Sequence, residues 1–189
     1  MAEHTWDIKF PAVAACGLSC RLCPRYHTDG SSRCGGCKSP SRMGAGCPFV
    51  TCAVKKKGIE LCTDCSEGES CERWARHRDS SEKSDSFVCY QKVPDNIRFI
   101  KQHGIRAFEE AQEKRCKLLE EMLAGYDDGR SKSFYCIAAT VMEPEELEHA
   151  LTRAESSTSG MAMKEKAKSM RRILDEIARQ KSYTLKLRK

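Results

Sequence analysis

Apolar residues recur with a helical period in the second half of the chain and with no period in the first. Ile105, Phe108, Ala111, Leu118, Leu119, Met122 and Leu123 follow a 3.6-residue repeat. Pro94-Asp95 marks the start of that region with Asp95 expected as the N-cap, Gly104 interrupts it, and Tyr126-Asp127-Asp128-Gly129 ends it. Residues 134–142 form a short apolar run that suits either a strand or a buried helix. Pro144 fits the first turn of a helix reaching residue 155, and residues 156–160 are a polar break. Beyond it Met163, Ala167, Met170, Ile173, Leu174 and Ile177 stripe a further amphipathic helix before the tail SYTLKLRK. Upstream, residues 72–78 can form a short helix carrying Trp74, followed by the polar run 79–86, read as a linker.

The first 78 residues lack such a pattern because they lack apolar residues. Positions 16–71 hold ten of the thirteen cysteines and eight of the twelve glycines, but only eleven other apolar side chains. Eleven side chains cannot offset the ordering of that much chain, and metal binding is the expected remedy, since its free energy appears as folding free energy. The fold class expected is therefore α+β or small and metal-stabilised. An irregular zinc-knuckle domain (1–78) precedes the linker (79–86), a mainly helical segment (87–155), the break (156–160) and a basic amphipathic helix with its tail (161–189).

Charged residues make up 32% of the chain and the mean hydropathy is −0.60, with no apolar run long enough to span a membrane. Glu3, Asp7 and Lys9 break any export-signal core, and without one the lipoprotein-like stretch Val13-Ala14-Ala15-Cys16-Gly17 is read as coincidence. A cytoplasmic location follows, where clustered cysteines are metal ligands more often than disulfides.

Three pairs have the two-residue spacer that lets two thiolates reach one ion: Cys20/Cys23, Cys34/Cys37 and Cys62/Cys65. The simplest partition joins the first two pairs in one tetrahedral site and Cys62/Cys65 with two of Cys47, Cys52 and Cys71 in another, leaving Cys16 and one more thiol over; an interleaved arrangement is equally open. Two zinc ions are expected, with an iron–sulfur cluster as the alternative because four thiolates suit both. The spacing Cys16-x3-Cys20-x2-Cys23 also occurs in radical enzymes that use S-adenosylmethionine, but the glycines, serines and cysteines that follow Cys23 do not fit their strand–helix alternation.

The series Cys16-Gly17-Leu18-x-Cys20-x2-Cys23, Cys34-x-Gly36-Cys37, Cys47, Cys52, Lys57-Gly58-Ile59-Glu60-x-Cys62-x2-Cys65 and Cys71-Glu72 resembles the bacterial and archaeal cysteine-rich family catalogued as domain of unknown function 3795. Asn96-Ile97-x2-Ile100-Lys101-x2-Gly104 and residues 128–136 resemble its longer members, while Glu69-Ser70 departs from the Phe-Pro often found before the last cysteine. The resemblance implies a metal-binding domain with no assigned activity.

Positive charge is concentrated at the end: residues 161–189 hold ten Lys or Arg against three acidic residues. A solvated amphipathic helix is the simpler reading, and a nucleic-acid arm through Lys164, Lys168, Arg171, Arg172 and Arg179 is the alternative. Lys55, Lys56 and Lys57 are expected to offset thiolate charge. His27 and His77 lie near enough in sequence to replace a thiol ligand, whereas His4, His103 and His149 read as surface residues. Cys136 could act as a nucleophile only if a base such as His149 folded onto it; with Cys89 and Cys116 it reads as a packing residue. With no phosphate loop or paired-carboxylate motif, the chain reads as a binding or regulatory module with an unidentified protein partner rather than an enzyme.

Overall fold

Helix accounts for 62% of the chain and strand for 1%, with no sheet among the described residues. The structure, a computed structural model, describes residues 6–44 and 46–189, with the backbone alone at Glu69; the surface position expected for His4 lies outside them. These proportions overturn the expected α+β, zinc-knuckle architecture. A lone antiparallel bridge, Val13 to Ser19, is all the β-pairing present among the described residues. The cause is local: turns and short helices fill the space between cysteines, leaving no stretch long enough to pair. The Cys20/Cys23 and Cys62/Cys65 spacers are closed by 3₁₀ turns, Cys20–Leu22 and Cys62–Asp64, in which the fourth residue's amide donates to the first residue's carbonyl at 3.1 and 3.3 Å.

Seven α-helices follow in chain order among the described residues: α1 (Pro40–Met43), α2 (Pro48–Val50), α3 (Glu72–Lys83), α4 (Val93–Tyr126), α5 (Lys132–Val141), α6 (Pro144–Thr158) and α7 (Met163–Lys181). α2 widens into a π turn over Thr51–Lys56, and a third 3₁₀ turn spans Gly68–Ser70. α3 runs to Lys83, so the first part of the expected linker is helical. α4 starts two residues ahead of the expected cap. Lys92 is the N-cap, and Asp95 lies in the first turn, paired with Arg98 at 3.0 Å and Lys92 at 3.6 Å. Gly104 breaks α4 with φ 84° and ψ 164°, a conformation that glycine alone adopts without strain. The ambiguous run 134–142 is helix α5 and its C-cap, and α6 begins with a reciprocal Glu143/Glu146 capping box and Pro144 at its first position.

Helices α4 to α7 build the largest core. α6 packs on α7 and α4 on α5, burying Leu119, Met122, Tyr135, Met142, Leu147, Met170 and Leu174. Tyr135 donates its hydroxyl to the Tyr126 carbonyl at 2.9 Å. Arg115 donates to the carbonyls of Ala139 (3.2 Å) and Met142, which lie at the end of α5 with no helical partner. Of the α7 stripe, Ala167 through Ile177 are buried and Met163 is exposed; Ala111 of α4 is exposed too. No helix among the described residues is long and apolar enough to cross a membrane.

The chain after α7 folds back as a strap. Arg188 donates from its backbone and Nε to Asp85 Oδ2 (2.8 and 3.1 Å), from Nη2 to Asp85 Oδ1 (3.0 Å) and the Ser81 carbonyl (2.6 Å), and from Nη1 to the Glu82 carbonyl (2.8 Å). The amide of Asp85 donates to the Arg188 carbonyl at 2.8 Å and that of Tyr90 to Asp85 Oδ1 at 2.6 Å. Burial by itself raises the Asp85 carboxyl; the Arg188 and Tyr90 donors outweigh it and leave the group below its ordinary value.

Leu147→Ala should cost about 3 kcal/mol of stability in urea unfolding, the usual toll of a cavity at a fully buried leucine. Arg188→Ala should cost about 2–3 kcal/mol, because it strands a carboxylate whose side chain has no exposure. The folded-state value of Asp85 is depressed, so this contribution is complete above the ordinary 3.8 and fades as acid protonates the group; wild type and variant should converge as the pH falls below 3.8.

Candidate metal centre

Close turns carry the cysteines inward. Gly17 (φ 81°) closes a loop in which the Ala14 amide bonds the Leu18 carbonyl at 2.9 Å, and this presents Cys16 to the interior. Gly36 (φ 104°) sits so close to the Pro11 carbonyl that a Cβ would stand 2.5 Å from its oxygen, so glycine is obligatory there. That approach brings the Cys37 amide to 3.3 Å from Cys20 Sγ, an amide-to-sulfur bond of the kind that orients thiolate ligands. Cys47 and Cys71 occupy the N-caps of α2 and α3. The Cys62 amide donates to the Ala15 carbonyl at 2.8 Å, tying the later cysteines to the loop of the earlier ones.

The thiols fall into two neighbourhoods. Cys52, Cys62, Cys65 and Cys71 line one cavity of about 30 Å³ walled by Phe49 and Trp74, with Lys57 at its edge. Of the three candidates that the spacing left open, Cys52 and Cys71 line this cavity, and Cys47 also acts on Cys62. Cys20, Cys23, Cys34 and Cys37 form the other: Cys23 feels the charge of Cys34 and Cys37. Cys16 packs against the cluster that buries Cys20 and Cys23, as do Cys37, Cys62 and Cys71, and Cys47 packs with Cys37 against Met43, Val50 and Val54. All thirteen cysteines are free thiols. Among the described residues no group of three or more His, Cys, Asp or Glu side chains is arranged as a ready-made metal site.

Burial and proximity hold Cys16, Cys23, Cys37 and Cys62 toward their neutral form. Cys16 is pushed up to about 12, first by burial and then by its thiol neighbours, and Cys62 likewise to about 12 by burial and by Cys52, Cys71, Cys65 and Cys47. Cys37 is raised by its hydrogen bond with Cys20 and by burial, Cys23 chiefly by burial. Cys65 alone is lowered, because Lys57 Nζ donates to its sulfur at 3.1 Å while also meeting Glu67 Oε1 at 2.6 Å. The lysine run thus divides: Lys57 serves a thiol, whereas Lys55 lies 5.6 Å from the Trp6 ring centroid.

Glu60 is a partner that the sequence did not reveal. Its carboxylate accepts the amides of Lys9 (2.5 Å) and Phe10 (3.0 Å) and the ammonium of Lys38 (2.5 Å), whose side chain is wholly buried. This joins the start of the described chain, the Cys34/Cys37 turn and the Cys62/Cys65 turn at one point. Of the two histidines near the cluster, His27 spends Nε2 on the Arg21 carbonyl at 2.6 Å. His77 packs among Phe49, Trp74 and Tyr90 at centroid distances of 4.6, 5.8 and 5.3 Å, its Nε2 buried without a hydrogen-bond partner and its basicity lowered by desolvation. Cys89, Cys116 and Cys136 are buried in the helical core, and His149 is exposed on α6.

Comparison with protein-family models, curated proteins and solved structures finds no match to this chain.

Because the buried thiols must lose protons to bind an ion, metal affinity should rise with pH and each binding event should release protons, measurable by calorimetry in buffers of different ionisation enthalpy. Lys57→Ala removes the donor that favours the Cys65 thiolate and should weaken metal binding by roughly ten- to a hundredfold in a competition titration against a chelating dye, with the Lys55→Ala variant unchanged.

Proposed function

We propose that the protein is a cytoplasmic binding or regulatory module stapled by two zinc ions, one held by Cys52, Cys62, Cys65 and Cys71 and the other by Cys20, Cys23, Cys34 and Cys37. The observation that carries this reading is the cavity lined by four free thiols, with an ammonium donating to one of them. Four thiolates around a divalent ion leave a charge of about −2, which Lys57 partly offsets. Three cysteine pairs with two-residue spacers favour zinc over an iron–sulfur cluster in this reading. The metal serves structure: closing each tetrahedron ties together turns that share few apolar contacts, while the helical core stands on its own hydrocarbon packing.

The Lys-Gly-Ile-Glu stretch that carries the resemblance to domain of unknown function 3795 gains a physical role in this reading. Lys57 serves a thiol ligand and Glu60 fastens three segments around the sites.

Anaerobic purification followed by elemental analysis should give about two zinc ions per chain and no visible absorption; a brown protein with stoichiometric iron would instead establish the cluster. Chelation should abolish hydrogen-exchange protection across residues 16–71 while α5 to α7 keep theirs. Equal loss in both halves, or none in either, refutes a structural staple confined to the first half.

A further inference from the structure

Three exposed guanidinium groups lie over aromatic rings. The Arg25 Cζ atom stands 5.2 Å from the centroid of Phe87, that of Arg33 5.7 Å from Tyr26, and that of Arg171 4.1 Å from Phe134. The Tyr26 and His27 rings meet edge-on at 5.5 Å. Lys132 donates to the His27 carbonyl at 3.0 Å, setting the start of α5 against the 24–33 loop, while Phe134 is itself buried in the helical core and offers its ring to Arg171 alone. Phe87 is 51% exposed, an unusual position for a large apolar ring, and Arg25, Arg33 and Arg171 are exposed with it.

The cations here meet carbonyls and rings rather than carboxylates: Arg33 Nε donates to the Tyr26 carbonyl at 3.2 Å. Arg21, Arg115, Arg153 and Arg188 each pair with a carboxylate, whereas Arg25, Arg33, Lys132 and Arg171 form no ion pair among the described residues. The adjacent carboxylates of Asp127 and Asp128 accept from the amides of residues 129–131 and the Ser131 hydroxyl, so they are turned to their own loop; Asp29 is the remaining acidic residue of the 24–33 stretch.

We propose that this face binds single-stranded nucleic acid. Planar rings and guanidinium planes supply stacking surfaces for unpaired bases, and the four unpaired cations follow the phosphates. An acidic peptide would use the cations and leave the exposed Phe87 ring without a role; a duplex would leave the rings unused, since its bases are already stacked. The arm expected from the sequence is thereby divided. Arg171 belongs to this surface through Phe134, whereas Arg179 donates to the Asp175 carbonyl and borders Glu176. The proposal rests on the metal reading for the fold of the 24–33 loop, which lies between Cys23 and Cys34, whereas Phe87 and Lys132 lie outside the thiol-rich segment; metal content and circular dichroism of the protein used therefore separate a failure of the site from a failure of the staple.

Fluorescence anisotropy with a fluorescein-labelled oligouridylate across a salt series tests it on the whole chain. Binding should weaken with salt with a log–log slope of about −3, as four phosphate contacts on a single strand require. Phe87→Ala should weaken binding at least about fivefold, the lower end of one stacked base. Arg25→Glu/Arg33→Glu should weaken it at least about tenfold and flatten the slope by about 1.4. Arg106→Glu/Lys117→Glu makes the same change in net charge on exposed positions of α4 and should leave binding within about twofold once net charge is matched. Lack of binding by wild type at low salt overturns the proposal, as does an equal loss from the two charge-matched pairs. Circular dichroism and melting of each variant check the fold; should the Arg25/Arg33 pair prove unfolded, Phe87→Ala decides, and an unchanged affinity there overturns the proposal.

Discussion

Sulfur takes the place of hydrocarbon in the interior of the first half, and the rest of the structure is arranged around that substitution. Cys20 and Cys23 are buried with Ala14, Leu18, Trp74 and Val88, and Cys16, Cys37, Cys62 and Cys71 pack against them. A neutral thiol is an acceptable small hydrophobe, but a thiolate in the same place is a buried charge that must be matched. Packing and ligation therefore ask opposite things of one set of atoms. The conflict is met by placing donors at chosen sulfurs, the Cys37 amide at Cys20 and the Lys57 ammonium at Cys65, so that only part of the cluster is predisposed to charge.

The two halves are joined through the first part of α4. Asn96 donates to the Gly17 carbonyl at 3.0 Å, and a Cβ at Gly17 would stand 3.1 Å from Ile97 Cγ1, so the Cys16 loop and α4 fit only while that residue is glycine. Val93 and Ile97 belong to the sulfur-containing core; beyond Gly104 the same helix contributes Leu118, Leu119 and Met122 to the hydrocarbon one. One helix thus belongs to two interiors of different chemistry, with its break between them.

The helical half was legible because its signal is local: the apolar repeat, Pro144 and Gly104 each act within a turn or two. The start of α4 differs from the expectation because Asp95 is a good cap by itself, yet the helix starts at Val93, where the side chain is needed in the core. The cysteine spacing singled out the clustered thiols but suggested knuckles, since a two-residue spacer does not say whether a 3₁₀ turn or a hairpin closes it. Nothing local distinguishes Cys52 from Cys47 as a companion of Cys62. Glu60 with Lys38, Phe87 with Arg25 and Asp85 with Arg188 join residues far apart in sequence, and no periodicity announces such partners.

The strap at Arg188 closes a loop of 103 residues around the whole helical half. A contact of such sequence separation is entropically costly to form early, so it belongs after the folding transition state, when the two ends have already been brought together by the helices. Interactions formed that late do little to hasten folding and act instead on the rate of unfolding. The end of the chain is then a kinetic lock: it governs how long the native state lasts once formed, and with it how long the sulfur-rich interior stays closed to water.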